Sequence, residues 1–134
     1  MNIDFNLFFA LILAHLVGDG LLQTYEMATN KSKSNAVLWQ HGVMYSLPFW
    51  VLMIVGLPAM SFNLMDSVTI SVSFALLVVC VPHVMVDWLT SRISADLWEE
   101  AQKTPQTYHW FFLTILVDQA IHVVHLFLLG VLIT

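Results

Sequence analysis

Apolar residues fall into four long runs separated by short polar stretches, and this pattern predicts four helices. The runs cover about 5–23, 36–57, 67–90 and 109–133. None alternates with the period of two that marks a half-buried strand. Each reaches the roughly 20 residues that a helix needs to cross a bilayer, and a segment in lipid must satisfy its own backbone polar groups. The expected fold class is therefore all-α: a polytopic membrane protein, built as a four-transmembrane-helix bundle in a single domain over residues 1–134. Ser34 and Asn35 are placed to cap the second helix, and Asp66 and Ser67 the third, with Pro58 and Asn63 in the turn between them. The connection 91–108 puts Ile93, Leu97 and Trp98 on one side and Asp96, Glu99 and Glu100 on another. That arrangement predicts a short helix lying at the interface and ended by Pro105, with a solvated loop as the equal alternative.

Composition narrows the class further. Hydrophobic residues make up 59% of the chain and charged ones 10%, with a mean hydropathy of +0.81. A formal charge of −5 with only four Lys and Arg excludes a nucleic-acid partner. Cys80 stands alone in an apolar run, which excludes a disulfide scaffold. The start Met1-Asn2-Ile3-Asp4 lacks the basic front of a signal peptide, so the first run reads as a retained span. Lys31 and Lys33 fall in the first connection and Arg92 and Lys103 in the third. Cytoplasmic loops hold the Lys/Arg excess, so loops 24–35 and 91–108 are expected in the cytoplasm and both termini outside it.

Ionisable residues inside the spans carry the chemistry. The first run holds His15 and Asp19, the second His41, the third His83 and Asp87, and the fourth Asp118, His122 and His125. At about 100° per residue, His15, Asp19 and Gln23 share one narrow face, as do His83 with Asp87 and Asp118 with His122 and His125. Polar stripes on apolar helices belong in a shared bundle interior. Counted at about 1.5 Å per residue, they gather in the cytoplasmic half. His-x-x-x-Asp recurs at His15/Asp19 and His83/Asp87, and His41 follows Asp19 by the interval at which His109 follows Asp87. Two pseudo-repeated helix pairs would produce this echo. His109 itself is expected at the interface, away from the cluster.

Burying carboxylates in a bilayer costs about 2.5–3.5 kcal/mol each, whereas a hydrogen bond between buried side chains there returns only about 0.6 kcal/mol. A divalent cation would offset that cost, and His with Asp are its usual nitrogen and oxygen ligands. His15, Asp19, His83, Asp87, Asp118 and His122 are the candidate metal ligands, with His41 or Asp118 as the catalytic base. Zinc suits a mixed His/Asp set best, with manganese or iron behind it. Protonated Asp residues bonded to their i+4 His partners, or a haem held by facing His residues, are the competing readings of the same side chains. Lys31, Arg92 and Gln23 lie at the mouth of the cluster and are candidates for holding an anionic substrate. Pro82 should kink the third helix and free the carbonyl of Val78, and Pro48 should act similarly in the second.

The run Ala-His-Leu-Val-Gly-Asp-Gly-Leu-Leu-Gln-Thr, the His-Gly of the second span, the His-x-x-x-Asp of the third and the Asp-Gln-x-x-His of the fourth resemble a known family. It comprises small bacterial and phage inner-membrane proteins catalogued only as a domain of unknown function. The resemblance covers nearly the whole chain and implies a four-span, multi-pass protein of the bacterial inner membrane. A looser similarity of the His-bearing helices to membrane-bound metal-dependent hydrolases implies hydrolysis. Three functions follow as expectations. The first is a metal-dependent hydrolase acting on a lipid or a phosphorylated small molecule. The second is a small proton- or ion-coupled transporter, which with four helices would work as a homo-oligomer. The third is a non-catalytic membrane interaction protein whose polar stripes only fix helix register.

Overall fold

The computed structural model describes residues 4–56 and 64–132, and among them every regular element is helical. Helix α1, Phe5–His15, is capped by Asp4, whose Oδ1 accepts from the amides of Asn6 and Leu7 at 2.9 and 3.2 Å. It continues as a wider π turn over Leu16–Leu21. Within the loop expected at 24–35 lies a short helix α2, Tyr25–Asn30, with Thr24 as its cap. Six residues without apolar periodicity leave little trace in sequence, and only Met27 anchors this helix in the core. Ser34 caps helix α3, Asn35–Gly56, as its type and place predict.

The third run departs most from expectation. Helix α4, Leu64–Phe74, a π turn over Ala75–Cys80 and helix α5, Val81–Lys103, form one continuous rod. Asp66 and Ser67 therefore lie inside a helix and do not begin one; Pro58 and the rest of that turn lie outside the described residues. The separate interfacial helix expected beyond residue 91 is the far end of α5, because no Gly or Pro interrupts the chain between Val84 and Thr104. Pro105 does end it. Thr104 takes φ −130° and ψ 87°, outside the helical region that a residue before proline avoids. The π turn lies directly ahead of Pro82 and widens the helix where the proline ring would clash. A 3₁₀ turn at Pro105–Thr107 leads into helix α6, Tyr108–Leu132.

Three stretches, Asn35–Val55, Thr69–Lys103 and Pro105–Leu132, are long and apolar enough to cross a membrane, and Phe5–Leu21 is a shorter apolar helix. The bundle is closed in the order α1, α3, the α4–α5 rod and α6, with α6 returning against α1. Neighbours run antiparallel: Asp19 meets His41, Asp87 meets His122, and His15 meets Gln119. Large apolar side chains face outward, Phe9 63%, Leu77 68% and Leu116 66% exposed, while His41, His83 and Asp87 are at most 1% exposed. A water-soluble domain buries the opposite set.

Two glycines set how closely the helices approach. A Cβ on Gly18 would lie 2.5 Å from the Tyr45 carbonyl oxygen, so α1 touches the backbone of α3. A Cβ on Gly42 would collide with the Val84 side chain, which brings α3 against α5 beside His41. Leu11, Ala14, Tyr45, Phe49, Val79, Leu126 and Leu129 pack into one buried cluster. On every helix these residues lie on the side of the His/Asp positions away from the loop at 24–35, so the apolar core seals one half of the bundle and the polar groups occupy the other.

Candidate metal centre

The polar groups expected in the interior meet there. His41 Nε2 lies 3.0 Å from His83 Nε2, 3.2 Å from Asp19 Oδ1 and 3.3 Å from Asp87 Oδ2. His83 Nε2 is 3.6 Å from Asp87 Oδ2, and His122 Nε2 is 3.4 Å from Asp87 Oδ1 and 3.6 Å from Asp118 Oδ1. Two triads, Asp19 with His41 and His83, and His83 with Asp87 and His122, each have ligand atoms within 4.8 Å of one another and can hold a metal ion. They share His83, and an imidazole Nε2 has a single lone pair to give. The two triads are therefore halves of one centre.

The spacing suits a small cation. Bond lengths of about 2.0–2.1 Å in a tetrahedral zinc site separate the ligand atoms by about 3.3 Å, the middle of the range seen here. The donor chemistry suits it too. One N–H on His41 cannot serve three neighbours, two of which are carboxylate oxygens, but a shared cation satisfies all of them. The rings are oriented by packing: Tyr45 stacks on His83 at 3.6 Å with 7° between planes. Nδ1 of both His41 and His83 is buried without a hydrogen-bond partner, so neither has the second-shell acceptor that usually orients a ligating histidine.

His15 takes a different part from the one its spacing predicts. Gln119 donates through its amide nitrogen to Asp19 Oδ2 at 2.9 Å and Asp118 Oδ2 at 3.1 Å, which leaves its Oε1 to accept from His15 Nε2 at 3.0 Å. His15 Nδ1 is then the acceptor, and the Tyr45 hydroxyl donates to it at 3.1 Å. With both ring nitrogens engaged, His15 has no lone pair for a metal and orders the shell around it. The echo between His15/Asp19 and His83/Asp87 thus does not extend to their contacts. Asp118 lies outside both triads, held by the Thr90 hydroxyl at 2.6 Å and by Gln119. His125 reaches the backbone of Val78, the group that Pro82 leaves without its usual partner. His109 is exposed and bonded to the Gln106 carbonyl, at the periphery as expected.

A cavity of about 700 Å³ opens beside the centre on the loop side. Asp19, Asp118 and Gln119 form its floor, and Gln23, Lys31 and Lys33 stand on its wall. Lys31 Nζ bonds Asp87 Oδ2 at 2.6 Å and Gln23 Oε1 at 3.2 Å. His41, expected as a base, does not line the cavity, whereas Asp118 does. Arg92, expected as a substrate residue, lies elsewhere: it bonds Asn35 Oδ1 and the Trp88 carbonyl and covers the Trp88 ring. Sequence reasoning missed Tyr45, Thr90 and Lys33 as members of the site. Gln119 lies between Asp118 and His122 in the motif but gave no sign of bridging two carboxylates.

Fold and centre together define, among the described residues, an all-helical chain with three stretches long and apolar enough to cross a membrane and a buried His/Asp group able to hold a metal ion. The chain belongs to the DUF3307 family, described as proteins of unknown function, whose model matches residues 7–134. No curated protein and no solved structure matches it. The looser similarity to membrane-bound hydrolases gains no support from these comparisons.

Proposed function

We propose that this chain is a four-span protein of the bacterial inner membrane that holds one divalent cation, zinc first among candidates, and hydrolyses an anionic ester. Convergence of two imidazole nitrogens and two carboxylates from three helical segments at 3.0–3.6 Å, beside a lysine-bearing cavity, carries this reading. His41, His83, Asp19 and Asp87 would hold the ion, with His122 next in reach. A bound divalent cation supplies Lewis acidity. Asp118, on the cavity floor, takes a proton from water as the water oxygen attacks the ester centre. It then returns that proton to the leaving oxygen as the ester bond breaks. Lys31 and Lys33 hold the anionic head. The loop side faces the cytoplasm in this reading, by the Lys/Arg distribution.

The apolar seal beyond Tyr45 weighs against a path running through the bundle, so transport is the weaker reading. Elemental analysis of protein purified without chelators should return one divalent ion per chain. The loaded protein should release alcohol and acid from a phosphorylated lipid or a soluble aryl phosphate. Metal-free protein whose activity is indifferent to added zinc would overturn the proposal, and so would metal-loaded protein that moves ions across liposomes without forming product.

A further inference from the structure

Lys31 belongs to two places at once. Its ammonium bonds the carboxylate oxygen of Asp87 that also lies 3.3 Å from His41 and 3.6 Å from His83. Its side chain also stands in the cavity wall beside Lys33, near Thr29, Ser32 and Ser94. Ser91 lines the same cavity, and its hydroxyl is buried without a partner. The wall thus carries two lysines and the serines Ser32, Ser91 and Ser94, the donors that a phosphate-type dianion takes, while the Thr29 hydroxyl donates to the Tyr25 carbonyl. One of the two ammonium groups is tied to Asp87.

An ammonium and a divalent cation cannot both sit against Asp87 Oδ2 at bonding distance without strong mutual repulsion. From this we infer that the cavity is a phosphate-type anion site completed by cation binding. Lys31 leaves Asp87 when a divalent cation takes that oxygen, and its released ammonium joins Lys33 to hold the anion. The inference rests on the metal reading of the same centre. It makes the two ligands cooperative: a cation raises affinity for the anion, and by linkage the anion raises affinity for the cation by the same factor.

The test is a double titration of the detergent-solubilised full chain, wild type and Lys31→Met, with zinc and with methylphosphonate, a dianion that is not an ester. Lys31→Met removes the competing ammonium and should bind zinc on the order of tenfold more tightly. Wild type should bind methylphosphonate more tightly with zinc present, also on the order of tenfold, and Lys31→Met should lose that enhancement. Lys33→Met should weaken methylphosphonate binding and leave zinc affinity unchanged. Lys31→Gln, which keeps a polar group against Asp87, repeats the test if the Met variant does not fold. Equal zinc affinity in wild type and both Lys31 variants would overturn the inference while leaving the metal centre standing. A zinc-dependent enhancement that survives in Lys31→Met would also overturn it, since the anion would then be meeting the cation directly. Zinc binding by neither wild type nor variant would remove the metal reading itself and the inference with it.

Discussion

Gly18→Ala tests whether the helix approach, and not the ligand types alone, builds the centre. The added methyl would sit 2.5 Å from the Tyr45 carbonyl oxygen and 3.1 Å from its Cα, where ordinary contact begins at 3.4 Å. These are backbone atoms in the middle of α3 and cannot rotate away, so α1 must retreat by about 1 Å, an overpacking that costs about 1–3 kcal/mol. The retreat stretches the 3.2 Å contact of Asp19 with His41 and the 3.1 Å bond of His15 with Tyr45 towards 4 Å. Loss of that positioning should lower zinc affinity by about 10–100-fold, the range for disturbed second-shell support. Gly20→Ala is the matched control in the same π turn: nothing lies within 4 Å of its added methyl. It should be neutral or stabilising by up to about 1 kcal/mol, through helix propensity. Thermal unfolding by circular dichroism in detergent gives the stability comparison, and competition against a chromophoric chelator gives zinc affinity. If Gly18→Ala melts and binds zinc like Gly20→Ala, the close approach of α1 and α3 does not set the geometry.

Further expectations concern individual side chains. His83→Ala should abolish zinc binding, whereas His15→Ala should retain it within a few-fold, because Tyr45 and Gln119 occupy the His15 ring; elemental analysis of the two proteins distinguishes them. Gln119→Leu leaves Asp19 and Asp118 each without one donor and should destabilise the fold by about 1–3 kcal/mol, measured by thermal or denaturant unfolding. Arg92→Ala should leave turnover of an anionic ester unchanged and cost at most about 1 kcal/mol of stability, since the half-buried side chain makes only solvent-exposed hydrogen bonds, to Asn35 and Trp88. A large loss of turnover would return Arg92 to the substrate site.

Periodicity made the helices readable and placed the His/Asp groups on common faces, because burial of a stripe depends on angles that a regular helix fixes. It failed where the helix is irregular. The π turn at Leu16–Leu21 alters the register between His15 and Asp19, so of two residues assigned to one ligand face only Asp19 reaches His41, while both meet Gln119. The rod from Leu64 to Lys103 carries no breaker near residue 90, and a boundary drawn where apolarity fades was therefore misplaced. Lys31 was recognised as a cation near the mouth, but its bond to Asp87 depends on α2 folding the loop back over the bundle. Gly18 and Gly42 matter through what lies opposite them, and that is tertiary information.

Among the described residues, the apolar plug formed by Leu11, Phe49, Leu126 and their neighbours closes the far side of the centre, while the chamber opens beside Lys31. Under the proposed hydrolysis, reactant and spent product would take turns at the opening beside Lys31. A full turnover of that reaction in such a blind chamber would carry no net charge across the bilayer, so the electrical gradient could not drive it.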